Sequence, residues 1–208
     1  TKRPKLFGTP QPADGIVSPN DEVLVSFDET IQASLLVSKN FQVKGVLNGA
    51  EIRHNSCVYF DGIDDFASVI SGVNLSDKSF TIEFWTRRAA LTEGSIFSQG
   101  QIDLGFDANN RFYAKLGSNE IKTTSSYSDL LKWYHFAVVY DYSTKKVHIY
   151  MNDQQEVIDA DALAPFVGNG RMFLGQNTTE SHFYNGFVHD VRIWEKAKGF
   201  GTVFANML

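Results

Sequence analysis

The sequence predicts an all-β fold, a two-sheet sandwich or a barrel, and three observations predict it. Short segments alternate apolar and polar residues with a period of two. In KWYHFAVVYDYSTKKVHIYMND (Lys132–Asp153), Tyr134, Phe136, Val138 and Tyr140 fall on one side and His135, Ala137 and Val139 on the other. Runs of Gly, Asn, Asp and Ser separate these segments at regular intervals. No amphipathic helix interrupts them before the C-terminal tail.

Taken in order, the first fifty residues differ from the rest. Pro4, Pro10, Pro12 and Pro19 make a stiff entry, Val23, Val25 and Phe27 alternate, and Phe41, Val43 and Val46 suggest a strand ended by Asn48-Gly49. So few strands do not make an independent sandwich. From Val58 the pattern is steadier. Val58–Phe60 and Phe66–Val69 flank a turn at Asp61–Asp65, and Asp61-Gly62 is expected to turn sharply between neighbouring strands. Phe80, Ile82 and Phe84 alternate with Thr81, Glu83 and Trp85. Strands are then expected at Ser95–Ser98, Ile102–Phe106 and Phe112–Leu116. The opening stretch is a meander with turns at Asp141–Lys146 and Asn152-Asp153, continued by Gln154–Ile158. Arg171–Gly175 and Phe187–Ile193 complete the set, and Lys196–Leu208 reads as a short helix with Val203, Phe204 and Leu208 on one face.

Composition excludes some functions. The chain is 43% hydrophobic with 17 Phe and 8 Tyr, ample material for a core. No window approaches the roughly 18 apolar residues of a membrane span, so no membrane insertion is expected. The net charge is −5 and no basic tract is present, which argues against a nucleic-acid partner. The single cysteine, Cys57, excludes an internal disulfide and reads as a small buried residue at the start of a strand. His135 and His148 come close across the hairpin if the strands are antiparallel, but two half-exposed strand residues are the simpler reading than a metal site.

Six segments carry a resemblance. VYFDGIDDFASV (58–69), SFTIEFWTRR (79–88), KWYHFAVVYD (132–141), HIYMNDQQEV (148–157), RMFLGQ (171–176) and GFVHDVRIWEKA (186–197) occur in an order and spacing that resemble laminin-G-like domains. These belong to the concanavalin A-like lectin and glucanase superfamily, with pentraxins as relatives. The resemblance implies an antiparallel two-sheet jelly-roll over residues 53–208. In it the first and last strands meet, and Trp85 and Trp133 pack on the core or its rim. Residues 1–52 resemble part of a bacterial immunoglobulin-like domain.

The superfamily includes enzymes, so catalytic acids need a test. Glucanases of the laminarinase type resemble one another in a strand carrying two glutamates around an aspartate. A retaining hydrolase needs such carboxylates roughly 5–5.5 Å apart. In GQIDLGF (100–106), Gln101 and Gly105 stand where the glutamates would, and Asp103 remains alone. The expectation is that the chain is not an enzyme.

The resemblance also implies a calcium ion at the sandwich rim, bound by carboxylate and carbonyl oxygens. After FLGQ the chain reads Asn177-Thr178-Thr179-Glu180, without the acids that pentraxins carry there. Glu93, Asn177 and Glu180 remain as a weaker set. Asp61, Asp64 and Asp65, with Asp190 beside them, are a separate metal candidate, for which turn chemistry is the simpler reading.

The functional expectation is a non-catalytic binding module in a larger multidomain protein, extracellular or at a cell surface. Its partner would be a glycan or an extracellular protein, met on the concave sheet or by rim loops. The loops 91–94 and 177–185 are the candidate contacts, with Glu93, Asn177, Glu180, His182, Tyr184 and Asn185 as ligand residues. Tyr113, Tyr127 and Tyr150 are further stacking candidates. The alternatives are a structural spacer of an adhesin-like protein and, more remotely, a glycoside hydrolase.

Overall fold

The computed structural model describes residues 44–47, 50–53, 57–70 and 72–207. The chain divides into two compact units, Thr1–His54 and Asn55–Leu208. Of the first unit, β1 (Lys44–Leu47) and β2 (Ala50–Arg53) pair antiparallel, with Leu47 opposite Ala50. The rest of the immunoglobulin-like segment expected over 1–52 lies outside the described residues.

The second unit contains β3 (Val58–Asp61), β4 (Ala67–Val69), β5 (Phe80–Arg88), β6 (Gly94–Gln99), β7 (Ile102–Phe106), β8 (Arg111–Leu116) and β9 (Asn119–Ser126). Then follow β10 (Tyr134–Asp141), β11 (Lys146–Met151), β12 (Gln154–Asp161), β13 (Met172–Leu174), β14 (Asn185–Trp194) and α1 (Phe200–Met207). They form two antiparallel six-stranded sheets, β12-β11-β10-β5-β14-β3 and β4-β13-β6-β7-β8-β9. This is the expected jelly-roll sandwich, and β14 does pair with β3, bringing last and first strands together.

Alternation decides what fills the space between the sheets. Phe80, Ile82 and Phe84 of β5 and Phe136 and Val138 of β10 face Leu104, Phe106, Phe112 and Ala114 of the second sheet, all fully buried. Phe136 stacks on Phe112 across the sandwich, centroids 4.1 Å apart and 11° between planes. Each such ring contributes about 1.5–3 kcal/mol by leaving water.

The odd-numbered residues of β5 and β10 face outward on the first sheet. The chain end covers part of that face: Phe200 and Val203 of α1 pack on Ala137, Val139 and Tyr150. Of the helical face expected from sequence, Val203 is buried, Phe204 is more than a third exposed, and Leu208 lies outside the described residues.

Several expectations need correction. β3 and β4 are not a hairpin: the Asp61–Asp65 turn carries the chain from one sheet to the other. Trp85 and Trp133 lie on the outer face of the first sheet, against His189, and not on the core. Cys57 is exposed, because it precedes the edge strand β3. His148 pairs opposite Val139, four residues along β10 from His135, so the two histidines do not meet. β9, whose sequence NEIKTTSS lacks an apolar stripe, was not expected.

Candidate functional site

The outer face of the second sheet gathers polar groups around one carboxylate. Ser95 of β6, Gly105 of β7 and Tyr113 of β8 occupy one cross-strand row. Asp103 sits one outward position along β7 from Gly105. Ser95 Oγ donates to Asp103 Oδ1 at 2.5 Å and Tyr113 OH donates to the same oxygen at 3.3 Å. Burial pushes the Asp103 carboxyl up, against the opposing pull of these two hydroxyls, His182 and Lys115. Burial, with Asp103 beside it, also raises the Tyr113 phenol, so it stays a donor. Among the described residues Oδ2 of Asp103 takes no hydrogen bond and is not among the buried unpartnered atoms, so it retains contact with solvent.

Gly105 makes this arrangement possible. A β-carbon there would lie 2.1 Å from Gly94 O and 2.9 Å from Ser95 Cα, at the bulge between Ser95 and Phe97. The Gly94 backbone fills the space that a side chain at Gly105 would take, which brings β6 close against β7 beside Asp103.

The loop 177–184 borders the same face. Ser95 N donates to His182 O at 3.1 Å, and Ser95 bridges Phe183 in parallel. This brings His182 Nε2 to 3.7 Å from Glu93 Oε1. Asn177 Nδ2 lies 2.8 Å from His182 Nδ1, which fixes the ring. Asn177 Oδ1 accepts from Thr179 N and Ser181 N. Behind the 89–94 loop stands Arg88, 1% exposed, donating to Asn110 Oδ1, Tyr127 O and Thr92 O at 2.8–3.0 Å. It ties down the loop that carries Glu93.

The six expected ligand residues therefore separate. Glu93, Asn177 and His182 come together, and Glu180 is exposed in the same loop with φ 55°. Tyr184 does not join them: it is 1% exposed, inside the sandwich, its hydroxyl 2.6 Å from Thr86 Oγ1. Asn185 opens β14 and donates to Asp61 O at 2.8 Å, beside the other turn. Tyr127 and Tyr150 are buried, so of the stacking candidates only Tyr113 borders the outer face. Sequence reading treated Asp103 only as the remnant of a hydrolase motif and missed Ser95 and Arg88. A charged residue at an inward position of FTIEFWTRR was the available signal for Arg88.

The calcium candidates fit poorly. Asn177 Oδ1 is committed to its own loop, and Glu93 faces His182. Ligand oxygens of Asp61, Asp64 and Asp65 lie within 4.8 Å of one another. However, Asp61 Oδ1 accepts from Ile63 N and Asp65 Oδ2 from Asp61 N, which is turn capping. Asp190 is not part of this group. It sits at the β14 bulge with φ 53° and binds Arg192 through both carboxylate oxygens. Among the described residues, these candidate oxygens are engaged mainly in their own turns, loops and ion pairs.

A six-on-six antiparallel sandwich whose polar groups converge on a sheet face and its bordering loop is the architecture of a lectin-like module. The chain belongs to the concanavalin A-like lectin/glucanases superfamily, whose Laminin_G_3 model matches residues 61–199. Among solved structures it is similar to a heptameric SAP-like pentraxin of Limulus polyphemus, at 15% identity and TM-score 0.57, over 71% of this chain and 79% of that one. A putative carbohydrate-binding protein of Bacteroides ovatus matches at 21% identity and TM-score 0.56, over 73% of this chain but 48% of that one. A Trypanosoma rangeli sialidase matches at 12% identity and TM-score 0.54, over 74% of this chain and 27% of that one. These identities speak for the fold alone. No curated protein sequence is significantly similar to the chain.

Proposed function

We propose that this chain is a non-catalytic glycan-binding module of a larger extracellular or cell-surface protein, and that the outer face of its second sheet holds the sugar. The observation that carries this reading is Asp103. Two hydroxyls hold one of its oxygens, the other has no bond among the described residues, and His182, paired with Glu93, is near enough to act on its charge. A positioned acceptor beside an aromatic ring and a mixed donor–acceptor pair suits adjacent sugar hydroxyls. The Bacteroides neighbour, described as a putative carbohydrate-binding protein, supports the ligand class. The non-catalytic reading rests on Gln101 and Gly105, which leave Asp103 without a second acid on its strand.

A glycan array with the folded protein tests this. Binding is expected, weakened at least tenfold by Asp103→Asn and by His182→Ala, with no reducing sugar released from bound glycans or from laminarin. A blank array with the folded state verified overturns the reading in favour of a structural spacer. Sugar release abolished by Asp103→Asn overturns the non-catalytic part.

A further inference from the structure

The opposite side of the sandwich carries a second surface that none of this explains. On the outer face of the first sheet, Tyr59 of β3, Phe187 of β14 and Arg87 of β5 are direct cross-strand partners, and Trp133 continues the row. The next row holds His189 and Trp85. The rings are wedged against one another. Tyr59 and Phe187 have centroids 4.8 Å apart, Trp133 meets His189 edge-on at 4.9 Å, and His189 lies parallel to Trp85, 2° apart in plane. Further along the same face, α1 and the segment before it provide cover. Tyr59 is half exposed, and Phe187, Arg87, Trp133, His189 and Trp85 are each partly exposed.

Arg87 is the unusual member. Its guanidinium lies 4.5 Å from the Phe187 centroid and 5.6 Å from that of Trp133. Nε is buried without a partner, while the terminal amino groups are neither buried nor bonded to protein. The neighbouring cations of this face each hold a carboxylate, Arg192 with Asp190 and Lys198 with Glu83. Among the described residues Arg87 holds none, in a chain of net charge −5. A guanidinium fixed between rings, with its outer edge free, is preorganised for a planar anion, and a carboxylate takes it end-on through two hydrogen bonds.

We propose that this aromatic–arginine platform is a second sugar site, specific for a carboxylate-bearing sugar, with Trp133 and Trp85 stacking on the rings and Arg87 pairing with the acid. A sugar fits better than a protein partner. The rings form one small cluster of cross-strand neighbours, and α1 with the segment before it already occupies the other end of the face, which leaves a patch of a few side chains. This proposal shares its ligand class with the first reading but none of its residues.

The test is titration of the whole chain with trigalacturonate and with its methyl ester, which keeps the rings and loses the charge. Tryptophan emission and calorimetry are the readouts. Trigalacturonate is expected to shift emission and to bind at least tenfold more tightly than the ester. Trp133→Ala should weaken both at least tenfold, and Trp133→Phe, which keeps a ring, should weaken both less. Arg87→Gln should weaken the acid tenfold and leave the ester unchanged, and His182→Ala should change neither. Variants are compared at equal helix and strand dichroism, so misfolding is visible. Equal affinity for acid and ester, or acid binding untouched by Arg87→Gln, overturns the proposal. Acid binding lost on His182→Ala alone overturns it while preserving the first site. Self-association that Trp133→Ala abolishes, with no sugar bound there, overturns it in favour of a protein partner.

Discussion

Replacing Lys198 by Met should loosen the C-terminal segment from the first sheet. Glu83 is fully buried on the outer face of β5, under this segment. Its Oε1 accepts from Trp194 Nε1 at 2.8 Å and lies 3.6 Å from Lys198 Nζ, whose side chain is 4% exposed. Oε2 has no hydrogen bond, and the nearest base is His135 at 3.7 Å. Two unit charges at that separation attract by about 4–5 kcal/mol at an effective dielectric near 20. Removing one partner of a buried pair costs about 3–5 kcal/mol, because the other charge stays buried without compensation. The ammonium also lies 3.2 Å from the Trp194 ring centroid, at the margin of the face, so the lower end, about 3 kcal/mol, is expected. For a unit of this size that is a fall in Tm of roughly 6–12 °C. Glu83→Gln with Lys198→Met should recover more than about 1 kcal/mol of the loss, since the double change removes both charges. Melting followed by far-ultraviolet dichroism measures both. A Lys198→Met variant melting within about 2 °C of the parent, or a double variant no better than the single one, would show that solvent reaches the pair and would refute the argument.

Acid should destabilise the fold through histidine. Burial pulls His135 down to about 4 from the usual 6.5, and nearby Arg192 adds to this, while Asp190 opposes it. Burial lowers His189 as well. The unfolded chain takes up these protons first, so stability is full above pH 6.5 and is lost as pH falls toward 4, by about 3 kcal/mol for His135. Urea midpoints that stay constant over that range would contradict it. Gly175→Ala should lower Tm by several degrees, because φ is 88° and a β-carbon would stand 2.5 Å from Phe60 Cδ1. An unchanged melt would show that Phe60 moves aside freely. Millimolar calcium against EDTA should shift the melt by under about 1 °C, since the Asp61 and Asp65 carboxylates cap their own turn. A rise of several degrees would make the triad a cation site.

Much of the sandwich was legible because its core strands obey a period of two and their turns use Asn, Asp and Gly. The meander over β10–β12 is the clearest case. β9 was not, because NEIKTTSS turns only Ile121 and Thr123 toward the core, and one apolar residue makes no period. Partner choice was legible only in part. The last strand was expected beside the first, yet nothing local distinguishes the Asp61–Asp65 turn as a crossover from the same residues closing a hairpin. The site was less legible still. Tyr184 follows a polar loop and looks like a contact residue, but its ring enters the sandwich to meet Thr86. Asp103 acquires its partners from β6 and β8, through a register that bulges at Ser95 and that a sequence does not print.

One strand shows why outward positions are the harder half. In FTIEFWTRR the inward residues answer to a single environment, and all but the last are apolar or small. The outward residues answer to whatever lies above them. Thr81 and Glu83 sit beneath the segment after β14: Thr81 Oγ1 donates to Lys196 O and accepts from Lys198 N, and Glu83 meets Trp194 and Lys198. Trp85 and Arg87, one and two outward positions further on, lie beyond that cover and are packed only by their neighbours in the sheet. The bulge at Asp190 falls between these halves, shifting the β14 register between His189, opposite Trp85, and Arg192, opposite Glu83. It separates a covered, charge-neutralised half from a half whose arginine has no carboxylate partner among the described residues. Deleting Asp190 would remove the extra residue, place Val191 alone opposite Phe84, and leave Arg192 opposite Glu83 and Trp194 opposite Thr81 on the same face. Trp194 would keep its place over Glu83, and the loss would be the Asp190 carboxylate that holds Arg192 through both oxygens.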